Sequence, residues 1–230
     1  MPNPDHKSQT ANHRSPLVLA SASPRRAEIL AALHIPFQIE PANVAERIHP
    51  GESAEQAAAR LAAEKAGQVA RRRPEAWVLA ADTLVVLDAD PSVDPDHKSQ
   101  IKNHKLEQLI LGKPRGDTEA AEMLRRLSAR SHRVVTAVRL RRGEHPGREI
   151  VEVSRVQFAL LSEEEIRWYV GSGEPRGKAG SYAVQGLGAR FIEAIEGSYT
   201  NVMGLPARGV YRLLREAEDP ALALLALSSS

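Results

Sequence analysis

The chain has 230 residues, with 31 lysines and arginines against 29 aspartates and glutamates, a formal net charge of +2. That balance is too mild for binding nucleic acid by bulk charge, and 42% hydrophobic with 26% charged residues describes a globular chain, neither wholly disordered nor fibrous. Cysteine is absent, which excludes a disulfide framework, thiolate metal sites and a cysteine nucleophile, and fits a reducing compartment.

Residues 1–16 are polar and His-rich, without the apolar stretch of a secretory signal, and are expected to be a flexible segment. No run in the chain approaches the roughly 18 apolar residues of a membrane span. The expectation is a soluble, cytoplasmic protein of one domain or two closely packed lobes. Residues 17–20 read as a short buried strand that stops at Ser21-Ala22-Ser23-Pro24-Arg25-Arg26. A helix should follow, with Ser23 as N-cap, Pro24 in its first turn, and Ile29, Leu30 and Leu33 on its apolar face. Residues 37–39 can start a second strand. Ser53 and Gln56 form a capping box for a long Ala-rich helix to about Arg71, whose exposed face is expected to carry Glu55, Glu64 and Lys65.

Residues 77–87 are the most apolar stretch and predict a central strand, interrupted by Asp82 and Thr83. The pattern is lost over 88–108, an insertion of a length that is usually functional or disordered. It contains the second copy of the only repeat: Pro-Asp-His-Lys-Ser-Gln at 4–9 returns at 95–100, each copy followed after two residues by Asn-His. Such paired histidines offer a metal fewer than the four convergent ligands of a structural site. Asp117 or Thr118 is expected to cap a helix to about Leu127. Residues 133–140 and 149–158 read as β-branched strands, and Ser162 with Glu165 makes a capping box ahead of a helix to Val170. A Gly-rich connection over 171–188, a segment over 191–195 and a helix over about 206–217 complete the domain, leaving 218–230 as a tail. The fold class is α/β with a mixed, twisted sheet.

Four places hold candidate chemistry. The turn at 21–26 puts Arg25 and Arg26 in a first helical turn, where cations oppose the macrodipole unless an anion sits in front of them. Guanidinium forks match phosphate oxygens, although a double Arg can also point to water or pair with acids. Asp82 within an apolar strand must face a cation, a metal or a water it activates, or else pair with a nearby Lys or Arg. Thr83 should point to the opposite face. Lys65 and Lys113, taken singly, read as solvated lysines. The run 178–188 brings glycines that permit close approach to a ligand and Gln185, whose amide can read a base edge. No Walker loop and no GxGxxG fingerprint occurs. Basic runs at 71–73 and 139–142 are weak grounds for RNA binding, since aromatics are only 4% of the chain and leave little for base stacking.

Taken together, LASASPRRAEIL at 19–30, AERIHPGESAEQ at 45–56, RLAAEKA at 60–66, AADTLVVL at 80–87, LGKPRG at 111–116 and SGEPRGKAGSYAVQGLGARFIEAIEGSYTNVMGLP at 172–206 resemble, in order, the Maf family of nucleoside triphosphate pyrophosphatases. The resemblance spans nearly all of 17–217. It implies a two-lobed fold similar to that of inosine triphosphate pyrophosphatases, a mixed twisted sheet flanked by helices with the nucleotide in a central cleft. It implies Asp82 as catalytic base, and Ser21, Ser23, Arg25, Arg26, Lys65 and Lys113 as the phosphate-binding set. It also implies a divalent metal, Mg²⁺ or Mn²⁺, held by Glu46 and Asp82. The family's usual acidic pair has Ala45 in its first place here. Arg26, Thr83 and Gln185 match the branch acting on dTTP and UTP rather than the 7-methyl-GTP branch, and a homodimer is the implied assembly. The competing reading is a nucleotide-sensing or division-regulating protein whose hydrolysis is incidental. The family passes from the ADT strand to GKP through a tight hairpin, so the insertion over 88–108 is expected to loop out and spare Lys113.

Overall fold

A computed structural model of the chain describes residues 17–88, 102–103, 108–217, 219 and 222. Both copies of the repeat, at 4–9 and 95–100, lie outside the described residues. The chain forms a mixed sheet in the order β2-β1-β3-β6-β7-β8, with β5 also on β3 and β4 on β5. Here β1 is Leu17–Leu19, β2 Gln38–Ile39, β3 Trp77–Asp88, β4 Lys102–Asn103, β5 Gln108–Leu111, β6 Ser131–Arg142, β7 Arg148–Phe158 and β8 Ile192–Glu196. The helices are α1 Pro24–Ala32, α2 Ala54–Arg72, α3 Asp117–Leu127, α4 Glu163–Gly171, α5 Tyr199–Met203 and α6 Ala207–Arg215. No helix among the described residues is long and apolar enough to cross a membrane.

Strand β3 is covered on both faces, which is why it reads as a continuous apolar run rather than an alternating one. Val78, Ala80, Leu84 and Val86 pack on α2, where a stripe of alanines lets the helix lie close to the sheet. On the other face, Leu79 and Ala81 belong to a core with α1 and α6, whereas Val85 and Leu87 belong to a second core with α3 and α4. These two cores are the two lobes, and the cleft opens between them.

The capping boxes at Ser53/Gln56 and Ser162/Glu165 both form. Ser23 occupies the N-cap position of α1 but makes no side-chain capping bond. Helix α3 is capped by Gly116, with Asp117 as its first residue, so neither Asp117 nor Thr118 is the cap; the carboxylate serves the helix dipole instead. The ends of the 88–108 insertion pair as an antiparallel ladder, Val85 to Asp88 against Gln108 to Leu111, and the insertion itself contributes β4, paired with the start of β5. Beyond α6, Asp219 accepts from the Trp77 indole at 2.8 Å and Leu222 is fully buried in the first core.

Candidate active site

The cleft exists because one edge of β3 is only partly used. On that side β1 pairs with Trp77 to Leu79 and β5 with Val85 to Asp88, so the residues between them have no strand neighbour. On its other side β3 is paired with β6 throughout this stretch, Asp82 opposite Ala137 and Thr83 opposite Thr136. Successive side chains leave a strand on opposite faces, and the gap lets both faces reach one cavity of about 440 Å³. All ten residues singled out in the sequence line it: Ser21, Ser23, Arg25, Arg26, Glu46, Lys65, Asp82, Thr83, Lys113 and Gln185.

The Asp82 face is charged. Lys65 Nζ donates to Asp82 Oδ1 at 2.5 Å and to Glu46 Oε1 at 2.6 Å, and Lys113 Nζ donates to Glu46 Oε2 at 2.6 Å. Both alternatives for Asp82 are thus met at once: it pairs with a lysine, and it faces the cleft. Lys65 is the clear departure from expectation, because it is only 7% exposed and not on the solvent face of α2. It lies four residues after Leu61 and three after Ala62, both fully buried, so the helical period places it on the buried stripe. Burial pushes the Asp82 carboxyl above its ordinary range, against the pull of Lys65 and Arg26. At Glu46 burial acts in the same direction but is outweighed by Lys113 and Lys65, which hold that carboxyl down to about 2. Among the described residues no group of three or more acids or histidines gathers as a metal set; Asp82 and Glu46 are the acids lining the cleft.

At the start of α1, Arg26 makes no ion pair among the described residues, although Asp82 and Glu46 lie within electrostatic reach of it. Its Nε donates to the Gly204 carbonyl at 2.9 Å, Nη1 to Ser21 Oγ at 3.0 Å and Nη2 to Thr83 Oγ1 at 3.2 Å. Gly204 ends α5 with φ of +110°, and a Cβ there would stand 3.3 Å from Thr83 Oγ1, so glycine lets this carbonyl turn toward the guanidinium. Arg25 is half-buried and makes no hydrogen bond among the described residues. Burial lowers its pKa, opposed by Glu28, Tyr169 and Glu174.

Among the described residues the Thr83 face carries no carboxylate. Thr83 Oγ1 lies 3.0 Å from Thr136 Oγ1, whose own hydroxyl donates to the Asn201 carbonyl at 3.1 Å; Thr136 and Asn201 are fully buried. Val85, Val134, Val202 and Met203 supply apolar wall on this side. Gln185 is exposed at the rim and has no hydrogen bond among the described residues. Three residues not singled out in the sequence also matter. Arg176 and Lys178 line the cleft, and Lys178 Nζ donates to the Glu174 carbonyl at 2.5 Å. The Glu174 carboxylate accepts from the backbone N–H of Leu187 and Gly188 and from the Tyr169 hydroxyl, at 2.9 to 3.0 Å. It thereby fastens the turn that follows Gln185, and Gly186 has no room for a Cβ, which would come within 2.3 Å of Glu174. Their signal was their place within the run 172–188.

The chain matches the description "Maf-like protein" over residues 16–217. It is 48% identical over 204 residues to a dTTP/UTP pyrophosphatase of Myxococcus xanthus (strain DK1622), covering 89% of this chain and 93% of that one. It is 44% identical over 203 residues to a dTTP/UTP pyrophosphatase of Koribacter versatilis (strain Ellin345), covering 87% and 94%. Among solved structures, that of a HAM1 protein from Coxiella burnetii aligns with 92% of this chain and 96% of its own, at 16% identity and a TM-score of 0.42. With the match extending from the first described strand to the end of the last helix, the chain belongs to the Maf-like protein family.

Proposed function

We propose that the protein hydrolyses dTTP and UTP between the α- and β-phosphates, releasing the monophosphate and pyrophosphate. The observation that carries the reading is the junction at residues 82 and 83, where a buried carboxylate among cations and an uncharged hydroxyl beside a guanidinium open into one cleft. The activity of the related dTTP/UTP pyrophosphatases supplies the substrate.

In this reading Asp82 is the general base. Its Oδ1 is held by Lys65, whereas no hydrogen bond among the described residues engages Oδ2. That oxygen takes the proton of a water as its oxygen bonds the α-phosphorus and the bond to the bridging oxygen breaks, leaving with pyrophosphate. A carboxyl raised by burial is better matched to this task than an ordinary one. Arg25, which has no hydrogen bond among the described residues, and Lys113 at the rim line the cleft with Ser21 and Ser23 at the helix start, so charge developing on the leaving group would meet cations there. Glu46 sets the positions of Lys65 and Lys113 by accepting from both.

The donor set also fits a hard divalent cation such as Mg²⁺ or Mn²⁺. Such an ion takes one or two carboxylates from protein and completes its shell with phosphate oxygens and water, and here two carboxylates converge within 2.6 Å of a single ammonium. Held by Glu46 and Asp82, it would supply charge neutralisation along the triphosphate.

The test is a substrate panel of dTTP, UTP, CTP, GTP and 7-methyl-GTP, read as pyrophosphate release. Turnover of dTTP and UTP above the guanine nucleotides is expected. Preference for 7-methyl-GTP would overturn the specificity, and tight binding of dTTP without turnover would make the protein a sensor rather than an enzyme.

A further inference from the structure

We infer that Thr136, a fully buried residue of β6 that does not reach the cleft, is a specificity-positioning residue: it fixes the Thr83 hydroxyl as an acceptor and so selects bases that carry an N3–H. The inference rests on the pyrimidine triphosphate reading above and deepens it.

The argument is a count of protons. A threonine hydroxyl has one proton and two lone pairs. The Thr136 proton is committed to the Asn201 carbonyl, which can only accept, at 3.1 Å. With the Thr136 proton on Asn201, Thr83 is the donor at the 3.0 Å contact between the two threonines, and the Thr136→Val variant tests that assignment. The Gly204 carbonyl is the longer alternative at 3.5 Å and already accepts from Arg26 Nε at 2.9 Å, so the Thr136 hydroxyl is the acceptor that holds this proton. The Thr83 proton is thus spent inward, on Thr136. Arg26 Nη2 then fills one Thr83 lone pair at 3.2 Å. What Thr83 has left for a ligand is a single lone pair.

Arg26 stands beside it as the complement. Of its five N–H donors, three are used, on Gly204, Ser21 and Thr83. The other two, one on Nη1 and one on Nη2, have no partner among the described residues. The cleft thus presents donor and acceptor side by side, above the Val85–Val134 pair that lies two residues along the same faces of β3 and β6. Uracil and thymine offer the matching edge, a carbonyl oxygen beside N3–H. Cytosine places a lone pair at N3, directly against that of Thr83. A site built to pair a polar group rejects the analogue lacking it far more strongly than a merely apolar pocket does.

Thr136→Val keeps the shape and removes the inner acceptor, so that the Thr83 proton is released toward the ligand. The expected result is a fall of roughly tenfold or more in the ratio of kcat/KM for dTTP over CTP, with Thr136→Ser restoring the ratio to near the wild-type value. A Thr136→Val protein that unfolds cooperatively yet keeps the wild-type ratio would overturn the inference, as would a Thr136→Ser protein that loses it. Should Thr136→Val not fold, the wild-type enzyme still decides: UTP is expected to exceed CTP by roughly tenfold or more in kcat/KM, and parity refutes the role given to Thr83 and Thr136. Wild-type protein that turns over neither dTTP nor UTP would instead sink the functional reading itself, and the inference with it.

Discussion

Residues 82 and 83 are neighbours on one strand, yet they work in two different media. On the Asp82 face polarity is handled with full charges: two carboxylates share one buried ammonium, and a second ammonium holds the outer carboxylate. On the Thr83 face β3 and β6 carry hydroxyls, and beyond them a buried imidazole; the charge there, Arg26, donates to a carbonyl and two hydroxyls. The lesson is one of division. Phosphate demands cations and tolerates imprecise geometry, whereas a base edge is read by which atoms hold protons, so stray charge on that side would blur it.

The comparison breaks most visibly at Asp82. Asp82→Asn keeps the volume and an oxygen for Lys65, so the protein should still fold cooperatively, while pyrophosphate release from dTTP should fall about a thousandfold, within the range ascribed to a positioned general base. Turnover near the wild-type rate would remove Asp82 from the chemistry and leave the charged face as mere structure.

Lys65→Met addresses stability on the same face. It deletes the shared counter-ion and leaves Asp82 buried without its partner, a class of change that costs about 3 kcal/mol or more. Urea unfolding should show a loss of that order along with most of the activity. A loss of a few tenths would mean that Asp82 finds solvent easily and that the buried pair is less isolated than its exposure suggests.

Where the sequence was legible, the cause was local. The apolar run of β3, the alternation of β7 and the two capping boxes depend on residues within one turn or one strand, and the clustering of Arg25, Arg26, Lys65, Asp82 and Lys113 followed from a resemblance that carries long-range information with it. Lys65 reads as a surface residue by its type, whereas the helical period places it on the buried stripe of α2. Thr136 looked like any β-branched strand residue; its importance comes from the register that sets it opposite Thr83, which no short window contains. Glu174 was invisible for the same reason, since the N–H groups it binds lie thirteen and fourteen residues further on. Leu222 is buried although its surroundings in the sequence read as a tail.

The smallest effect tests the uncharged side. His132 stands four residues before Thr136 on the same face of β6, fully buried, with Nε2 2.8 Å from the Tyr182 hydroxyl and edge-on contacts to Phe158 and Tyr182. Burial drops its pKa to about 3 from an ordinary value of 6.5. The sign follows from proton binding: below pH 6.5 the unfolded chain takes up a proton that the folded protein refuses, so stability is full above that pH and declines as pH falls toward 3. The slope approaches about 1.4 kcal/mol per pH unit. Between pH 7 and 5.5 the wild-type protein should therefore lose about 1 kcal/mol more than His132→Gln, whose amide can still reach Tyr182 but does not titrate. Parallel losses in the two proteins would mean that His132 accepts a proton while folded. A charge would then be admitted to the very face whose neutrality distinguishes it from the face of Asp82.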